Sequence, residues 1–84
     1  MNNWFTHITL DEIHEYLKNN EEFVQIVTDK KNVFTKEHRI SQELATFLSR
    51  LPVARYIKKN FSVEYIVQEK TYSTKGMYVT FFEI

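Results

Sequence analysis

The chain contains no cysteine, a single glycine and a single proline. Without cysteine there are no disulfides and no thiolate metal sites, which suits a reducing compartment. There is no Gly-rich phosphate loop, and no nucleophile sits in a recognisable turn. The three histidines, His7, His14 and His38, have no metal-ligand spacing. Nothing here is an enzyme signature, so no cofactor is expected. Long apolar runs are also missing, and none approaches the roughly 18 residues of a membrane span. The opening "MNNWFTHITLDE" has neither a basic region nor an apolar signal core. The expectation is a soluble cytoplasmic protein with no membrane partner. Repeats and low-complexity tracts are absent.

What is present is a folded domain's composition. The chain has 84 residues, of which 43% are hydrophobic and 15% aromatic, enough for one modest core spanning 1–84 as a single domain. Formal net charge is zero, but the charges are sorted along the chain. Residues 1–29 carry six acids against Lys18, a sum of −5. Residues 30–60 carry eight cations against Glu37 and Glu43, a sum of +6, and residues 61–84 sum to −1. A basic block of this density suits either an anionic partner or a solvated surface.

The stretch "ITLDEIHEYLKNN" carries a full set of helix-start signals. Thr9 is the N-cap and Glu12, three residues on, closes a capping box. Ile8 and Ile13 form a hydrophobic staple, and Asp11 and Glu12 suit the positive end of the helix dipole. Leu10, Ile13, Tyr16 and Leu17 make the expected buried stripe, with Asn19 and Asn20 as stop residues. "FVQIVT" is short, β-branched and aromatic, so it reads as a strand over 23–28. "DKKN" is a turn, and "VFTKEHRI" reads either as a hairpin partner or as a loop into the next helix. Together, 29–40 is longer than a usual strand-to-helix connection.

"SQELATFLSRL" is a second helix over 41–51 with Ser41 as N-cap. Leu44, Phe47, Leu48 and Leu51 fall within about 100° of one another on its wheel. Pro52 suits a first helical turn, so "PVARYIKKN" starts a third helix with Val53, Ile57 and Phe61 inward. A single straight helix over 41–60 would hold its two apolar stripes roughly 140° apart, so a break near Pro52 is required. The remainder is a β-hairpin. Val63, Tyr65 and Val67 alternate with polar neighbours, and "STKG" places Gly76 where a left-handed turn residue is wanted. The return strand is partly apolar on both faces, as a central or interfacial strand would be.

The order helix, strand, helix, helix, strand, turn, strand resembles the winged helix-turn-helix superfamily over about residues 9–84. "ISQELATFL" looks like the Ser-x-Glu-Leu-Ala opening of many helix-turn-helix units, where the small alanine lets two helices approach closely. The resemblance implies an α+β fold: three helices with a small antiparallel sheet ending in a C-terminal β-hairpin. It implies a DNA-binding regulator, of the kind found in mobile elements and phages. "PVARYIKKN" would be its recognition helix and "KTYSTKGMY" its wing.

The residues themselves offer a basic arc on the third helix. Arg55, Lys58 and Lys59 lie opposite Val53 and Ile57, and no acid within the helix interrupts them. Such an arc can neutralise phosphates, with Arg55 able to reach a guanine edge; it also reads as a solvated face complementing the helix C-terminus. Arg50 projects from the preceding helix toward the same surface. Lys70, Tyr72 and Lys75 at the hairpin tip suit backbone contacts, and equally an ordinary polar tip. The hairpin aromatics Tyr65, Tyr72, Tyr78, Phe81 and Phe82 read first as core packing; beside cations they can instead stack unpaired bases, or form a dimer interface, so the DNA partner is double- or single-stranded. A second half-site favours a homodimer, with Trp4 and Phe5 available as a clasp. The competing class is an accessory protein that modulates a protein partner through its charged faces.

Overall fold

The computed structural model describes residues 8–84. Its elements are α1 (Leu10–Asn19), α2 (Glu21–Thr28), β1 (His38–Ile40), α3 (Gln42–Leu48), α4 (Leu51–Phe61), β2 (Val63–Thr71) and β3 (Lys75–Glu83). Four helices and a three-stranded antiparallel sheet make a small α+β domain, one helix more than the sequence suggests. Trp4, Phe5 and His7 lie outside the described residues.

The first helix starts as its signals dictate. Thr9 Oγ1 accepts from the Glu12 amide at 3.1 Å while Glu12 Oε1 accepts from the Thr9 amide at 2.9 Å. Ile8 packs on the core and Ile13 is fully buried, completing the staple. Leu10 is the exception to the expected stripe and stays exposed. Asn20 ends α1 in an extended conformation, not a left-handed one, because it also begins α2.

Residues 23–28 are helical, not a strand. Asn20 Oδ1 accepts from the Phe23 amide at 2.8 Å, and Glu21 and Glu22 sit in the first turn. Those cap and dipole signals outweigh the β-branched composition. Phe23 and Ile26 share one buried face at helical spacing. The expected strand's place is taken by His38–Ile40, at the end of the long 29–40 segment. It pairs with β3 through His38↔Val79 and Ile40↔Met77.

Ser41 caps α3 as expected, its Oγ accepting from the Leu44 amide at 3.1 Å. The helix stops at Leu48 with Ser49 as its C-cap, and α4 begins at Leu51. The out-of-phase stripes are thus resolved by a break at Ser49–Arg50. Leu51 consequently belongs to α4 and is exposed, not part of the α3 stripe. Phe61, expected inward, is also partly exposed, with its ring edge-on to Phe23 at 5.8 Å. Ser62 then takes φ 58, the one positive-φ non-glycine among the described residues, and turns the chain into β2.

The sheet order is β1-β3-β2, so the doubly apolar β3 is central. Gly76 does not occupy a left-handed turn position; it lies in β3 opposite Lys70. A Cβ there would stand 3.0 Å from Arg39 Cζ, so the glycine makes room for that guanidinium. The core joins Ile13, Leu17, Phe23, Leu44, Leu48, Val53 and Ile57 from the helices to Val63, Val79 and Phe81 from the sheet.

Candidate nucleic-acid interface

Helix α4 divides its residues cleanly. Val53 and Ile57 are fully buried, while Arg55, Lys58 and Lys59 are exposed on the other side. The helix is held at several points. Tyr56 Oη and His14 Nδ1 share a hydrogen bond of 3.0 Å that ties it to α1. Tyr65 Oη donates to the Leu48 carbonyl at 2.7 Å, anchoring the end of α3 to the sheet. Burial pushes the Tyr65 hydroxyl far above its ordinary pKa, so it stays a donor at every working pH. Arg50 is the N-cap of α4, and its guanidinium lies 5.7 Å from the Phe47 ring centre.

The basic arc is uninterrupted along the helix but not in space. Glu64 reaches from β2 to Lys58 at 3.3 Å. Arg55 and Lys59 have no ion-pair partner among the described residues. Between α4 and the sheet runs a groove of ≈ 380 Å³, lined by Leu51, Ala54, Arg55 and Lys58 on one side and Glu64, Ile66 and Phe82 on the other. Sequence pattern alone gives no sign of this apolar lining. Only the folded register shows that Ile66 and Phe82 come to the same side as Leu51.

The hairpin residues form a separate cluster. Lys70 Nζ donates to Glu37 at 2.8 Å, and Tyr72 Oη donates to the other oxygen of the same carboxylate. The Lys70 and Tyr72 hydrogen bonds hold Glu37 below the usual carboxylate range. The same carboxylate raises the pKa of both Lys70 and Tyr72. Lys75 pairs with Glu69 at 3.1 Å, and Arg39 donates to Thr74 Oγ1 at 3.5 Å.

The structure therefore brings Arg55, Lys58 and Lys59 together on α4, with Arg50 at its N-terminal end. It sets Lys70, Tyr72 and Lys75 together at the hairpin. Lys58 meets Glu64 near the helix end, whereas Leu51 shares the groove with Ile66. So β2 runs back along α4, and the tip extends past the end that carries Arg50. Arg39, Glu37 and Glu64 were missed as members of these surfaces. Glu37 and Arg39 lie more than 30 positions from the hairpin tip, and Glu64, though near Lys58 in sequence, meets it only once β2 turns back along α4.

Among the described residues no group of His, Asp or Glu is arranged to hold a metal, and no helix is long and apolar enough to cross a membrane. No family model, curated protein or solved structure matches the chain.

Proposed function

We propose that this is a winged-helix DNA-binding protein that presents α4 to the major groove and its β2–β3 hairpin to the backbone. The observation that carries the reading is α4 itself: a Pro-started helix fixed to the core by Val53 and Ile57, with three cations on its free side. The arrangement around it supports the same reading. The sheet order β1-β3-β2 sets a long hairpin directly after that helix, with its tip past the helix N-terminus. The N-terminal residues of a recognition helix meet base edges in this class of docking, and a wing meets phosphates. The Lys58–Glu64 pair is exposed on both sides, and such pairs contribute little, so phosphate can replace the carboxylate.

The test is fluorescence anisotropy with labelled duplex and single-stranded oligonucleotides at two salt concentrations. DNA binding of this type weakens steeply with salt. One observation favours a second reading, in which the chain docks on a protein: the groove with its exposed Leu51, Ile66 and Phe82. In that case neither oligonucleotide binds at any salt concentration.

A further inference from the structure

The hairpin has two faces; the helices cover one, and the other is open except where α4 side chains border its β2 edge. Val63, Val79 and Phe81 are buried against the helices, all at odd positions. Side chains alternate along a strand, so the even positions point away. There Ile66 is 49% and Phe82 45% exposed. Large apolar side chains left open on a sheet face mark a contact surface.

The chemistry of that face complements itself. Along β2 it reads Glu64, Ile66, Gln68, Lys70. The register sets Phe82 beside Glu64, Thr80 beside Ile66, Tyr78 beside Gln68 and Gly76 beside Lys70. One end therefore carries an acid and a bulky ring, the other a cation and a glycine. We infer that this face is a homodimer interface, formed when a second copy lies on it face to face about a two-fold axis crossing the strands at the Val67–Val79 row.

That axis keeps β2 over β2 and β3 over β3, with the strands antiparallel. Glu64 then meets Lys70 of the second copy, twice. Phe82 meets Gly76 of the second copy, where the Arg39 guanidinium fills the space that a side chain would take. Arg39 covers that glycine, with Cζ, Nη2 and Nε at 3.0, 3.1 and 3.2 Å from where a Cβ would stand. These near-equal distances mean the guanidinium lies flat over the glycine, ready to stack under an aromatic ring. Lys58 already pairs with Glu64, and Glu37 with Lys70. The two cross-pairs would link them into a chain of alternating sign, Lys58, Glu64, Lys70, Glu37.

A two-strand face of nine residues is about 30 Å by 10 Å. That is well below the roughly 800 Å² per partner of a standard interface, so the association should be weak and concentration-dependent. The inference does not depend on DNA binding.

Sedimentation equilibrium from micromolar to millimolar protein tests this. The parent chain should pass from monomer to dimer, and Phe82→Ser should remain monomeric with unchanged far-UV circular dichroism. The sharper arm uses charge. Glu64→Lys and Lys70→Glu each create like-charge pairs across the two-fold axis, so each alone should be monomeric. Mixed in equal amounts they should form a heterodimer, because both cross-pairs then become opposite in sign. A parent chain that stays monomeric to millimolar overturns the proposal. So does a dimer that survives all three substitutions, or folded charge variants that fail to associate on mixing. Should a charge variant not fold, the parent and Phe82→Ser arms decide the question.

Discussion

The two faces of the C-terminal hairpin are built from the same two strands, yet they meet different surroundings. The inner face supplies Val63, Val79 and Phe81 to the core, where neighbouring helices exclude water. The outer face carries Glu64, Ile66, Gln68, Lys70, Tyr78 and Phe82, a mixture of charge and half-exposed apolar surface. Phe81 and Phe82 are consecutive residues with 1% and 45% exposure, and alternation alone separates them. Helix α4 repeats the division, with Val53 and Ile57 inward and Arg55, Lys58 and Lys59 outward. The core and the exposed faces are thus separable side chain by side chain, so substitutions can address stability and the proposed contacts independently.

The largest effect should come from the inner faces. Phe81→Ala should cost about 3–5 kcal/mol and Leu44→Ala about 2–5 kcal/mol, since both side chains are fully enclosed. Phe82→Ala, one residue away, should stay near or below ~1 kcal/mol because much of that ring is already in water. Urea melts of the three variants check this. Equal losses for Phe81 and Phe82 would erase the distinction between faces.

A smaller effect is expected at the start of α1. Thr9→Ala removes the side-chain acceptor of the Glu12 amide, leaving the backbone half of the capping box, and should cost about 1 kcal/mol, read from the same melts. A neutral result would mean that the staple of Ile8 and Ile13 alone holds the helix end.

The hairpin's charged cluster should respond to pH with a defined sign. Glu37 has a lowered pKa when folded, so its contribution is present above the unfolded value of about 4.3 and is lost as pH falls through the folded one. Lys70 has a raised pKa, so its contribution is present below about 10.4 and is lost as pH rises through the folded value. The cluster should therefore be intact at neutral pH and open at both extremes. Amide shifts of residues 70–76, followed through an acid titration, should show a step that Glu37→Gln abolishes. Persistence of that step in the variant would assign it to another carboxylate.

How much of this could be read from sequence depends on how local the cause is. The capping box of α1, the Ser41 cap of α3 and the break before Pro52 are fixed by residues within a few positions of each other, and each appears in the fold. Residues 23–28 mislead because their β-branched composition points to a strand, while the Asn20 cap and the two glutamates after it start a helix. Strand β1 was hidden for a different reason. Three residues have no strand signal of their own and are ordered by pairing with β3. Gly76 looked like a turn glycine by its neighbours, but its role is set by Arg39, 37 positions earlier in the chain. The cationic arc on α4 was legible from helical spacing. Its counter-charge was not, since Glu64 reaches Lys58 only after β2 folds back along the helix.

The smallest expected change in stability belongs to the claim that matters most for function. Replacing Arg55, Lys58 and Lys59 together by alanine should shift unfolding by no more than ~0.5 kcal/mol per site, because all three are exposed and off the core. The decisive measurement is the salt dependence of DNA affinity for the parent and this triple variant. The account predicts steeply salt-dependent binding by the parent. In the folded variant, affinity should fall substantially and the slope of log K against log salt should shrink by roughly one to three units. A folded variant that binds every DNA as the parent does, with the same slope, would contradict it.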